Sequence, residues 1–193
     1  VTSIGSCGSS PSNWTQTGSK FQQTNCGFWK KNSEGKITSA QKQITPSFAE
    51  ALSDAQPDIT IIALGTNILS SPSNIKKELK FVEAMLKKTI ENRSRCIWIG
   101  PPDLVKDPFR SNLPSGVQQM KVLIEKSNCK FIDSTHYTRY PSTSKRADGI
   151  HYPKNQAIDW AAKIQPSLES LINKTDGYPS DDTHPSNSAD GQR

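Results

Sequence analysis

Asp148-Gly149-Ile150-His151 sets a carboxylate and an imidazole three positions apart, within reach of one another across a single turn of chain. Far upstream, a strongly apolar run ends in Gly65-Thr66-Asn67, which sets an amide side chain at the carboxyl end of a strand. An imidazole oriented by a carboxylate can act as a general base, and an amide N–H aimed at a developing oxyanion stabilises it. These are the makings of an acyl-transfer site with the nucleophile still to be found. Each motif has a plainer explanation: Asn67 could cap a turn, and Asp148 and His151 could form an ordinary helix entry with the ring packed on Tyr152. Their joint placement favours chemistry.

The elements that must carry these residues follow from apolar periodicity. Phe48, Ala49 and Leu52 make a short helix, and Pro57-Asp58 turns the chain into Ile59-Thr60-Ile61-Ile62-Ala63-Leu64, a β-branched run that reads as a fully buried strand. Ile75, Leu79, Val82, Leu86 and Ile90 recur at helical spacing behind a cap at Ser73 or Asn74. A second strand spans Cys96 to Ile99 and ends in Gly100-Pro101-Pro102-Asp103; Val117, Met120, Leu123 and Ile124 line the next helix; and Cys129 to Ile132 is a third strand. The last helix carries Ala157, Ile158, Ala161, Ile164, Leu168, Leu171 and Ile172, with Pro166 expected to kink it. Alternating strands and helices predict an α/β sandwich with a parallel sheet, in which ligands bind outside the carboxyl ends of the strands. Gly65-Thr66-Asn67, Pro101-Pro102-Asp103 and the loop from Asp133 to His151 all fall there.

The first third is irregular, interrupted by glycines, with Trp14, Phe21, Phe28 and Trp29 among polar residues; it reads as a long excursion after a short strand, its aromatic residues packed or stacked on a sugar ring. From Lys174 to Arg193 the chain is polar and is expected to be a disordered tail, leaving residues 1–173 as one domain of the 193. Of the formal charge of +6, much comes from Lys76, Lys77, Lys80, Lys87 and Lys88 interleaved with Glu78 and Glu83, a pattern of a solvated helix face and not of a nucleic-acid footprint. The longest apolar run is far short of the about 20 residues needed to cross a bilayer. The four cysteines show no metal-binding spacing. Cys96 and Cys129 each open a strand and could lie side by side, and Cys7 and Cys26 bracket a polar loop; two disulfides, as in an exported protein, stand against buried free thiols.

These residues resemble the SGNH or GDSL hydrolases, whose blocks are a Gly-Asp-Ser nucleophile turn, a glycine, a Gly-x-Asn-Asp and a final Asp-x-x-His. Asp148 to His151 matches the last block; Gly65-Thr66-Asn67-Ile68 is similar to the third, with Ile68 in place of aspartate; and Val1 to Gly8 is similar to the second strand with its glycine. The resemblance implies a three-layer α/β/α sandwich of flavodoxin-like type and a serine esterase or acetylesterase needing no metal or organic cofactor. It makes His151 the base, Asp148 its orienter, and Asn67 and Gly8 the oxyanion donors. Thr66, Pro102, His136 and Trp14 are candidate pocket residues. The Gly-Asp-Ser block is missing. Gly5-Ser6 is a poor substitute, since no aspartate adjoins Ser6 and no amphipathic helix follows it. The chain is therefore expected to begin one strand-helix unit late, the nucleophile lying upstream on a first, central strand. Such a protein would be a secreted or periplasmic monomer acting on a small ester or an acetylated carbohydrate. The competing readings are a non-catalytic carbohydrate-binding or interaction module on the same fold, and an O-acyltransferase that passes the acyl group to a sugar hydroxyl.

Overall fold

A computed structural model describes residues 1–15, 27–41, 43–141 and 148–174. In chain order it contains β1 (Ser3–Ser6), α1 (Pro11–Thr15), β2 (Phe28–Lys31), β3 (Ile37–Ala40), α2 (Phe48–Ala55) and β4 (Ile59–Ala63). A 3-10 turn, Thr66–Ser70, leads into α3 (Pro72–Glu91), β5 (Arg95–Ile99), α4 (Phe109–Lys126) and β6 (Lys130–Ile132). A second 3-10 turn, Ser134–His136, precedes the last helix, α5 (Lys154–Asn173).

The three apolar runs form one parallel sheet in the order β4-β5-β6; only β5 is buried along nearly its whole length, and β4, expected to be fully buried, leaves Ile61 and Ala63 exposed because it lies at the edge. Cys96 and Trp98 of β5 enter the larger core with residues of α3 and α4, whereas Ile97 and Ile99 join Ile132 and Ile164 of α5 in a second cluster. A strand buried on both sides must be apolar at every position, which is why it reads as a continuous run and not as an alternation. Trp98 spans the larger core, fully buried, and its indole N–H donates to the Leu64 carbonyl at 2.8 Å, fixing the end of β4.

Several expectations are corrected in detail. Ser71, not Ser73 or Asn74, caps α3, its hydroxyl accepting from Asn74 N at 3.1 Å. Ile90 is exposed, and Thr89 takes the buried place at that end of the helix. Glu78 does not belong to a solvated face. It is 2 % exposed and accepts from the Ser12 N–H (2.9 Å) and hydroxyl (2.8 Å), tying α1 to α3. The signal was present, since Glu78 falls between Ile75 and Val82 on the apolar stripe. The first third is also more regular than its glycines suggest: β2 and β3 form an antiparallel hairpin, and β1 pairs with β2 to make a separate sheet, β1-β2-β3. Phe21 and the remainder of the polar loop lie outside the described residues, as do positions 175–193 of the expected tail.

Cys96 and Cys129 form a disulfide with a Cα separation of 4.8 Å, directly ahead of the Ile97–Lys130 pairing of β5 and β6. Cys26, the expected partner of Cys7, lies outside the described residues. Closing a loop over a sequence separation of 33 restricts the unfolded chain. Replacing both Cys96 and Cys129 with alanine is expected to lower unfolding free energy by about 3–4 kcal/mol in denaturant titration, with little change in the sheet signal of the native state.

Candidate functional site

Asp148 and His151 meet as their spacing predicts. Asp148 Oδ1 accepts from the N–H groups of Ile150 (2.9 Å) and His151 (2.8 Å), and Oδ2 lies 2.5 Å from His151 Nδ1. One carboxylate thus folds the turn with one oxygen and holds the ring with the other. The hydrogen bond from the His151 side chain, followed by that from its main chain, holds the Asp148 carboxyl well below the usual carboxylate range. The imidazole is 78 % exposed, and its carboxylate-bound nitrogen is Nδ1, so Nε2 is the atom available to a substrate. Among the described residues, no serine, threonine or cysteine side chain hydrogen-bonds to His151.

The turn is anchored from below. Gly149 has a φ of 83°, and a Cβ there would come within 2.6 Å of Lys106 Cβ, so a side chain is excluded by both conformation and space. Its carbonyl accepts from Val105 N (3.1 Å) and Lys106 N (3.2 Å), and its N–H donates to the Tyr140 hydroxyl (2.9 Å). The same hydroxyl donates to the His151 carbonyl at 3.2 Å. Asp103, just past β5, accepts from Tyr140 N (2.9 Å), and its own carbonyl accepts from the Tyr152 hydroxyl (2.8 Å). Burial raises the Tyr152 phenol and keeps it a donor. Asp103, expected at this edge, and Tyr152 are therefore joined by a support that the sequence did not single out, Tyr140. Asp103 was visible as a carboxylate at a strand's carboxyl end; nothing in the sequence marks Tyr140.

On the neighbouring loops, Asn67 Nδ2 donates to the Ser9 carbonyl at 2.9 Å, joining the turn after β4 to the turn after β1. Gly8 sits in that second turn with a φ of 71°, and no described contact takes up its N–H. Asn67 is exposed and has a second N–H on the same nitrogen. Ile68, where the resembling family carries aspartate, is fully buried in the main core. A carboxylate at that depth would lack water and a partner, so the departure follows from the local packing. The turn that carries Asn67 begins beside the loop after β5: a Cβ on Gly65 would meet Pro101 Cδ at 2.8 Å.

The serines near the chain start are engaged elsewhere. Ser6 Oγ lies 2.7 Å from Thr45 Oγ1, and Ser9 Oγ donates to the Ser6 carbonyl (2.7 Å) while accepting from Trp14 Nε1 (3.1 Å). Trp14 is largely buried in the main core, and it also lines a hollow of about 1310 Å³ between β1 and β4. Thr66 is half-buried at the start of the 3-10 turn, and Pro102 is buried beyond β5. His136 is exposed beside Asp133 (Nε2–Oδ2 3.7 Å) and lines a separate cleft of about 530 Å³ with Lys121, Tyr137 and Ser167, which His151 does not line. The structure thus does not bring His136 and His151 into one pocket. Among the described residues, no group of three or more His, Cys, Asp or Glu side chains could hold a metal ion, and no helix is long and apolar enough to cross a membrane.

No family model and no curated protein matches the sequence. Among solved structures, the chain is similar to the psychrotrophic esterase EstA from Pseudoalteromonas sp., with a TM-score of 0.48 and 17% identity, covering 67% of this chain and 76% of that one. It is also similar to a GDSL-like lipase from Bacteroides thetaiotaomicron VPI-5482, with a TM-score of 0.47 and 16% identity, covering 64% of this chain and 68% of that one.

Because the folded Asp148 carboxyl is more acidic than an ordinary aspartate, near 3.9, its contribution to the turn is complete above that value. It is lost only as pH falls through the lower, folded value. In an NMR acid titration the Ile150 and His151 amide resonances are expected to hold their positions to below pH 4 and to move only in stronger acid. A midpoint near 4 would contradict the bonded turn.

Proposed function

We propose that this chain is the greater part of a serine ester hydrolase of SGNH type, built on a three-layer α/β/α sandwich, that removes acyl groups from a small ester or an acetylated carbohydrate. The observation that carries the reading is the Asp148–His151 turn, in which the carboxylate takes Nδ1 and two main-chain N–H groups and leaves Nε2 outward. That is how a general base is held in one tautomer, and the Tyr140–Asp103 support beneath it keeps the ring in place. A serine supplied by chain ahead of Val1 would attack the ester carbonyl while His151 Nε2 takes its proton. The amide N–H groups of Gly8 and Asn67 would stabilise the oxyanion. As the acyl-serine forms, the alcohol leaves with the proton from His151; water then attacks the acyl-serine, gives its proton to His151, and the serine recovers it as the acid is released.

The engagement of Ser6 and Ser9 with Thr45 and Trp14 supports an upstream nucleophile over one within the first turn. In the longer protein, His151→Ala is expected to abolish turnover of p-nitrophenyl acetate while leaving the circular dichroism spectrum unchanged. Asn67→Ala should lower kcat by about 10²–10³-fold, the cost of losing one oxyanion donor, and the double variant should be no worse than His151→Ala alone. Unchanged turnover in His151→Ala would overturn the proposal.

A further inference from the structure

Among the described residues the parallel sheet ends at β6, and the two helices beside it lie on opposite faces. α4 packs into the larger core through Leu113, Val117, Met120 and Ile124, and α5 into the second cluster through Ile164. No further described strand holds these helices apart, and the cleft of about 530 Å³ that His136 lines opens between them. That volume falls within the ~300–1,000 Å³ usual for small-molecule pockets. Phe131 of β6 and Leu171 of α5 give it apolar surface. Tyr137 closes one wall, its hydroxyl 2.7 Å from Ser167 Oγ of α5.

The polar groups of the cleft carry both signs and do not consume one another. Asp133-Ser134-Thr135-His136 repeats the spacing of the Asp148–His151 turn, and Asp133 Oδ1 likewise folds its own turn, accepting from the Thr135 N–H (3.0 Å) and hydroxyl (2.6 Å). The second oxygen differs. Oδ2 stands 3.7 Å from His136 Nε2, beyond hydrogen-bond distance, so carboxylate and ring both keep capacity for a ligand. From α4 comes the Lys121 ammonium, with which no carboxylate pairs among the described residues, and from α5 the Ser170 hydroxyl. An anion entering here meets Asp133, and a cation meets Lys121. An apolar molecule strips water from these side chains without replacing its hydrogen bonds. A neutral sugar ring satisfies them all: its hydroxyls donate to Asp133 Oδ2 and accept from Lys121, while its C–H face covers Phe131 and Leu171.

The cleft is separate from the turn at His151 and borders the same edge of the sheet. Tyr137 on its wall and Tyr140 beneath the Asp148–His151 turn are three residues apart, at most about 11 Å of chain. We propose that the cleft is a second carbohydrate subsite, which holds one neutral sugar unit of a polymeric substrate while another unit of the same polymer presents its ester to His151. The substrate is thereby a glycan of several units and not a small free ester. The link to the ester rests on the function proposed above; sugar binding in the cleft does not.

NMR titration of the 193-residue chain with xylotetraose, cellotetraose and chitotetraose tests the subsite. At least one of the three is expected to shift the Thr135, His136, Tyr137, Ser170 and Leu171 amides. Lys121→Ala, at an exposed position, should weaken that binding about tenfold or more, the loss of one charge-assisted hydrogen bond, with the circular dichroism spectrum unchanged. Ser170→Ala, also at an exposed position, should weaken it by a smaller factor. Shifts with none of the three, shifts confined to the Asp148–His151 turn, or equal affinity in Lys121→Ala would each overturn the inference, as would cleft shifts with sodium glucuronate and with no neutral sugar. Sugar bound in the cleft of a protein whose longer form has no esterase activity would sustain the subsite and remove the catalytic reading, whereas esterase activity with no sugar bound there would do the reverse.

Discussion

Parallel pairing of β4, β5 and β6 forces their carboxyl ends onto one edge, and the turn carrying Asn67 and the loop carrying Asp103 both start from that edge. The Asp148–His151 turn reaches it through Tyr140 and Asp103. A one-strand reversal anywhere in this sheet would carry a loop to the opposite end and separate the groups by the length of a strand. The pairing is held where the sequence is least negotiable: β5 is buried on both sides, Trp98 is bonded to the end of β4, and Cys96 is linked to Cys129 at the start of β6. Core packing within the sheet thereby fixes which loops share its carboxyl edge.

The site itself shows a division of labour between exposed and buried polar groups. Asp148 and His151 are solvent-exposed, and their geometry comes from short-range hydrogen bonds within one turn and not from burial. The groups that hold the turn in place, Tyr140 and the Asp103 loop, sit deeper and are bonded to one another. Glu78 plays a comparable part on the other side, fixing Ser12 and with it the short helix that follows the Gly8–Ser9 turn. A carboxylate buried at 2 % exposure is tolerable there because both oxygens are taken up by Ser12.

Those physical differences explain what could be read from the sequence. Strands β4 to β6 and the helices between them are legible because each strand is a short apolar run, that of β5 buried on both faces, and because amphipathic helices repeat at a fixed period. The Asp148–His151 contact is legible because it is local. The β2–β3 hairpin is not, since Trp29 and Ile37 are exposed and the strands alternate weakly around Asn32 and Gly35. Nor is the support from Tyr140, because its contacts to Gly149 and Asp103 join segments that only the folded sheet brings together. The groove beside β4 is invisible to periodicity for another reason: Ile61 belongs to a run that looks fully buried, and only the pairing reveals that one edge of it is open.

A fluorophosphonate reacts covalently with a serine only where a base and oxyanion donors activate it, so it reports nucleophile, base and oxyanion groups in one step. Labelling the protein expressed with its upstream segment, followed by peptide mass spectrometry, tests the central claim most directly. One modified serine is expected, ahead of Val1, and its labelling should disappear in His151→Ala. Modification of Ser6 or Ser9, or labelling that persists without His151, would contradict it.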